Sequence, residues 1–163
     1  MKKYILIIIL TGSVSLGWSN VMIPRANISE VFVDSNNDWT IELGFYQYAI
    51  PEIDSIIIET TSGSSVLSNF IFISGSGYPG FDSLSVINNS NLSSPISINS
   101  MYDYLKVISY AWGEIVVEYL AIGNYPGSFL GCADSNESIA YLVYEQSAGG
   151  TQSFCIDKSP TIG

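Results

Sequence analysis

The sequence predicts an all-β fold, and three observations carry that prediction. Val, Ile, Tyr, Phe and Trp recur in short runs of strand length, the residue types that fit a pleated, half-buried surface. Between the runs stand TSGSS, SGSGYPG, NNSNLSSP and GNYPGS, dense in residues that tolerate turn geometry. No stretch of helical length carries an i, i+3, i+4 apolar stripe with capping signals. Short strands at close spacing in a chain of 163 residues point to a single-domain sandwich or barrel.

Along the chain, residues 1–19 (MKKYILIIILTGSVSLGWS) have the three parts of a secretory signal. Lys2 and Lys3 form the positive end, Tyr4 to Leu10 the apolar run, and Ser13 to Ser19 offer small residues for cleavage. The apolar run is too short for a spanning helix of ~20 residues, and no Cys follows it to carry a lipid anchor. The expectation is a signal peptide over 1–19 and a mature domain over 20–163, secreted or displayed on the cell surface, with no membrane insertion after cleavage.

Strands are expected near 28–34, 39–46, 54–60, 68–73, 82–88, 103–110, 114–122, 138–144 and 152–156. WTIELGFY is the clearest. Trp39, Ile41, Leu43 and Phe45 fall on one face, and Thr40, Glu42 and Gly44 on the other.

Apolar residues make up 47% and charged residues 12%, which suits a packed core and excludes disorder. Fifteen acids oppose five Lys/Arg, a formal charge of −10. Without Lys2 and Lys3, three cations would remain against fifteen acids. Such a surface repels phosphate backbones, so nucleic acid is excluded as a partner. Cys132 and Cys155 are the two cysteines, and export would make one disulfide the default. It would close a loop of about two dozen residues and contribute ~3 kcal/mol. With no His and no third Cys, a thiol metal site is not expected.

Asp34, Asn36 and Asp38 in DSNNDWTIE alternate like the opening of a calcium loop. The sixth position is Trp39 rather than Gly and the twelfth is Phe45 rather than Glu, so the sharp turn and the bidentate ligand are missing. A turn between two strands is the expectation, and no cofactor is implied. GSGYPG (75–80) fits a dinucleotide pattern only formally, because no helical segment follows it.

Catalysis finds little equipment. With no His, a Ser or Cys nucleophile lacks its usual base, and neither G-x-S-x-G nor S-x-x-K occurs. Asp82, Glu114 and Glu118 are the acids best placed for a hydrolase reading, which needs two carboxyls in a cleft. Eleven Tyr and three Trp raise a different option, a sugar-stacking platform built from the loop residues Tyr78, Tyr125 and Trp112. The alternative is that the aromatics pack between strands. Asn-x-Ser sequons stand at Asn27, Asn88, Asn91 and Asn136.

The segment order resembles the lamin-tail domain family. ISEVFVD, a polar turn and DWTIEL look like that family's opening hairpin, with Trp39, Ile41, Glu42 and Leu43 in its W-x-E-L pattern. IDSIIIETTSG, DSLSVIN, DYLKVIS and GEIVVEYLAIG follow in the family's order. CIDKSPTIG resembles its closing S-P-T-P-G through Ser159, Pro160, Thr161 and Gly163, with Ile162 in place of the second proline. Gly44 after E-L, the Ser-rich loops and the cysteine pair depart from the family. The resemblance implies an immunoglobulin-like β-sandwich of bacterial secreted type. It implies a structural or protein-interaction role and no catalytic residues; the expected partner is a protein or, on the reading of the loop aromatics, a surface glycan.

Overall fold

The structure, a computed structural model, describes residues 23–46, 49–74, 81–142 and 153–160. Among the described residues ten strands run in the order β1 Asn27–Val33, β2 Trp39–Phe45, β3 Ile53–Thr60, β4 Gly63–Val66 and β5 Ile73–Ser74, then β6 Ser83–Ile87, β7 Tyr102–Ala111, β8 Glu114–Gly123, β9 Ser138–Leu142 and β10 Ser153–Asp157. They form two antiparallel sheets, ordered β10-β9-β1-β2-β6-β5 and β4-β3-β7-β8. The expected all-β class is correct, and the architecture is sandwich-like.

One apolar cluster draws on both sheets. Ile28, Val31, Ile41, Leu43, Phe45 and Ile87 come from the six-stranded sheet, and Ile56, Ile58, Leu105, Val107, Leu120 and Ile122 from the other. Full burial of each such side chain is worth about 1.5–3 kcal/mol. Polar bonds tie other segments to this core. Trp39 donates its indole N–H to the Ile96 carbonyl at 3.0 Å, and the Ala26 amide donates to Ser109 Oγ at 2.9 Å. The face of β2 expected to be buried is buried.

The loop expectations divide. At 34–38 the chain makes a turn, as its residue types predict. Asp34 Oδ1 accepts the amides of Asn36 (2.7 Å) and Asp38 (2.9 Å), and Asn37 takes φ 63°, a conformation Asn tolerates. Residues 68–73 do not form the expected strand; only Ile73–Ser74 pairs, with β6. Phe70 and Phe72 do pack on the core, each near Phe45. The backbone nevertheless turns aside, because the amides of Ser68 and Asn69 donate to the Asn91 carbonyl. Conversely β4 was hidden in TSGSS, a turn-like sequence held in the sheet by pairing with Ile57–Thr60.

The expected disulfide is absent: Cys132 and Cys155 are both free thiols. Cys132 lies on the loop after β8 and donates weakly to the Met101 carbonyl, 3.8 Å away. Cys155 sits within β10 opposite Ala140. Burial, then the charges of Asp157 and Glu30, push its thiol pKa up, which keeps it protonated and unreactive. The signal segment, residues 75–80 and the final Thr161 to Gly163 lie outside the described residues.

Candidate functional site

The outer face of β4-β3-β7-β8 is the surface that solubility does not explain. Along β7 the pattern alternates. Asp103, Leu105, Val107, Ser109 and Ala111 are buried, while Tyr102, Tyr104, Lys106, Ile108 and Tyr110 face away. Register carries that face across the sheet. Tyr119, Val117 and Ile115 of β8 stand opposite Lys106, Ile108 and Tyr110. On the other side stand Glu59, Ile57 and Ser55 of β3, and Val66 of β4 lies beside Ile57. Ile115 is 58% exposed, Val117 51%, Tyr102 50%, Tyr119 45% and Val66 43%. A solvated sheet face is normally polar, and a contiguous exposed apolar patch marks an interaction site.

Charge on these outward rows is confined to Glu59 and Lys106. Lys106 Nζ donates to Glu59 Oε1 at 2.7 Å and lies 4.8 Å from the Tyr104 ring centroid, while Tyr104 Oη donates to the same oxygen at 3.0 Å. The bond from Lys106 holds the Glu59 carboxyl below its usual pKa, and Glu59 in turn raises that of Lys106. Partial burial, then the bond to Glu59, raises the Tyr104 phenol. Around them the rings of Tyr104 and Tyr119 stack at 6.2 Å and 25°. Tyr125 meets Tyr102 at 5.1 Å in a tilted contact and Tyr104 at 5.3 Å edge-on. Such a surface can bind by apolar contact, ring stacking and phenol hydrogen bonds.

Of the loop aromatics, Tyr125 and Trp112 lie apart. Tyr125 belongs to the tyrosine cluster by Tyr102, at the start of β7. Trp112 lies past the far end of that ten-residue strand, roughly 30 Å away at 3.3 Å per residue. It donates its indole N–H to Glu52 Oε2 at 2.7 Å. Tyr78 lies outside the described residues. Of the acids named for a hydrolase, Asp82 and Glu114 are exposed and Glu118 is buried. Glu114 and Glu118 share β8 while Asp82 precedes β6, and Glu118 faces the core, opposite Val107. Among the described residues no group of three or more His, Cys, Asp or Glu could hold a metal ion.

Sequence reasoning missed two constellations. One is Tyr102, Tyr104 and Tyr119 with Lys106 and Glu59; its signal was the YDYLKVISY alternation, which puts Tyr102, Tyr104 and Lys106 on the face opposite Leu105 and Val107. The other is Glu30 and Glu42, buried and directly opposed across β1 and β2. Glu42 Oε1 accepts from Ser29 Oγ at 2.8 Å, and Glu30 Oε1 accepts from Ser138 Oγ. A bulge between Ile28 and Glu30 brings Ser29 beside Glu42. Burial raises the pKa of Glu42, the bond from Ser29 opposes that, and the Glu30 charge adds to it.

No family model matches this chain, and neither a curated protein nor a solved structure is significantly similar to it.

Proposed function

We propose that this chain is a non-catalytic, immunoglobulin-like β-sandwich module resembling lamin-tail domains, exported by its N-terminal segment and acting in protein interaction. The observation that supports the role most directly is the apolar, nearly charge-free outer face of β4-β3-β7-β8 on a chain of net charge −10. Aliphatic side chains dominate its centre at Ile57, Ile108 and Val117, and these suit a protein surface better than a sugar. The test is a photo-crosslinking residue at position 108 in the exported full chain, expressed in its own host, with position 37 in the β1–β2 turn as control. A discrete adduct at 108, absent at 37 and abolished by Ile57→Lys, supports the reading. Equal labelling at both positions overturns it.

A second reading has one specific observation behind it. The tyrosines at positions 102, 104, 119 and 125, with the Lys106–Glu59 pair beside them, form an aromatic and hydrogen-bonding cluster of the kind that holds a glycan. Saturable binding on a glycan array, lost in Tyr102→Ala and retained in Ile57→Lys, would favour it.

A further inference from the structure

The edge of the four-stranded sheet points to a particular partner. We propose that β8 pairs antiparallel with β8 of a second copy of this chain, about a two-fold axis, joining two four-stranded sheets into one of eight. This deepens the interaction reading of that sheet and rests on it.

β8 ends the order β4-β3-β7-β8, so no strand lies beyond it among the described residues. Ala111 stands opposite Glu114 with Trp112 and Gly113 between them, and both turn residues have positive φ, 55° and 77°. That is a two-residue hairpin turn of the I′ kind, whose flanking pair is hydrogen-bonded. Even-numbered residues of β8 therefore bond to β7, while Ile115, Val117 and Tyr119 direct their N–H and C=O groups to the open edge. Sheet edges are ordinarily blunted by brevity, Pro, Lys or bulges. β4, at the other edge, has four residues. β8 has ten, with no Pro, no Lys and no register shift.

Charge permits a second copy at this sheet, and the register of the edge selects it. Two chains of net charge −10 repel over most approaches. This sheet is where they can meet, because its outward rows carry Glu59 and Lys106 as a neutral pair. Burial of Ala121, Ile122 and Gly123 limits the open stretch to Glu114–Leu120, whose midpoint is Val117. A two-fold axis perpendicular to the sheet through Val117 sets Val117 against its twin and Ile115 against the partner's Tyr119. Such β-branched and aromatic pairs favour strand pairing. Glu114 then faces the partner's Leu120, and Glu118 the partner's Val116. An axis through Glu118 would oppose that residue to itself, and one through Val116 would oppose Glu114 to the partner's Glu118. The register at Val117 avoids both.

Cysteine trapping and sedimentation test this on the full chain. In a Cys132→Ser, Cys155→Ser background, Val117→Cys should oxidise rapidly to a covalent dimer by itself. Ile115→Cys and Tyr119→Cys should each cross-link at least tenfold more slowly alone, yet rapidly when mixed. Sedimentation of the unaltered chain should show a dimer. Val117→Pro should yield a monomer with an unchanged circular dichroism spectrum, since the lost N–H faces the edge, and Val117→Thr should remain dimeric. A chain monomeric at 100 μM, a dimer indifferent to Val117→Pro, or trapping fastest at position 115 alone would each overturn the proposal. If the chain is monomeric while the probe at position 108 still captures a protein, self-pairing fails and the interaction face stands. A dimer with no adduct at 108 gives the converse.

Discussion

Asp103 shows how one side chain can organise the turns around a sheet. It is 1% exposed, and its carboxylate accepts amides from Thr61 (2.9 Å), Asn99 (2.9 Å) and Tyr104 (2.8 Å). It thereby ties the β3–β4 turn to the segment entering β7. Asp103→Ala leaves these donors unmet and should cost about 3 kcal/mol in denaturant unfolding at pH 7. Asp103→Asn should recover part of that, since one acceptor oxygen remains. Glu42 works in the opposite direction. Its folded pKa lies above the ordinary value of 4.5, so the folded state holds that proton more tightly than the unfolded chain. Stability from this group is complete below pH 4.5 and is lost as pH rises through the raised value. Glu42→Gln keeps an acceptor for Ser29 and removes the charge facing Glu30. Thermal melts should match wild type at pH 4 and gain about 2–4 °C at pH 8, the equivalent of ~1 kcal/mol. Equal melts at both pH values would refute the account.

At the scale of elements, the β7–β8 turn carries a bulky residue where geometry favours Asn or Gly. Trp112 at φ 55° bears a left-handed backbone strain of about 1–2 kcal/mol, partly offset by its bond to Glu52. Trp112→Asn should therefore raise stability by about 0.5–1 kcal/mol. If the exposed indole extends the interaction face, the same change should lower capture by the probe at position 108. Elements like β7 and β8 were legible because alternation is written into their own residues. β4 was not, since GSSV has no strand signal of its own and is held by β3. The Ser68–Phe72 stretch misled in reverse, as its alternation is real but its amides bond to Asn91. The apolar outer face of β4-β3-β7-β8 was half legible. The parity of β7 shows in the sequence, but bringing Tyr119, Glu59 and Val66 beside it requires a long-range register. Glycine at position 44 has a structural cause, because the Phe81 ring lies 2.3 Å from where a Cβ would be.

For the whole molecule, the question is whether two sheets amount to one folding unit. Leu105 is fully buried on β7 and shares a cluster with Ile41 and Leu43 of the opposite sheet. Trp39, 3% exposed and bonded to Ile96, reports on the six-stranded side. Leu105→Ala should cost about 3 kcal/mol through lost burial and a residual cavity. Emission from Trp39 can be isolated in a Trp18→Phe, Trp112→Phe background. If the core is shared, its unfolding midpoint must fall by the same amount as that of far-ultraviolet circular dichroism, as two-state behaviour requires. A midpoint that stayed in place for Trp39 while the dichroism shifted would mean that the sheets unfold separately. The proposed interaction face on β4-β3-β7-β8 could then open without disturbing the other sheet. Coincident shifts would instead make that face as rigid as the core beneath it, so that a partner binding there meets a surface already formed and spends little on ordering it.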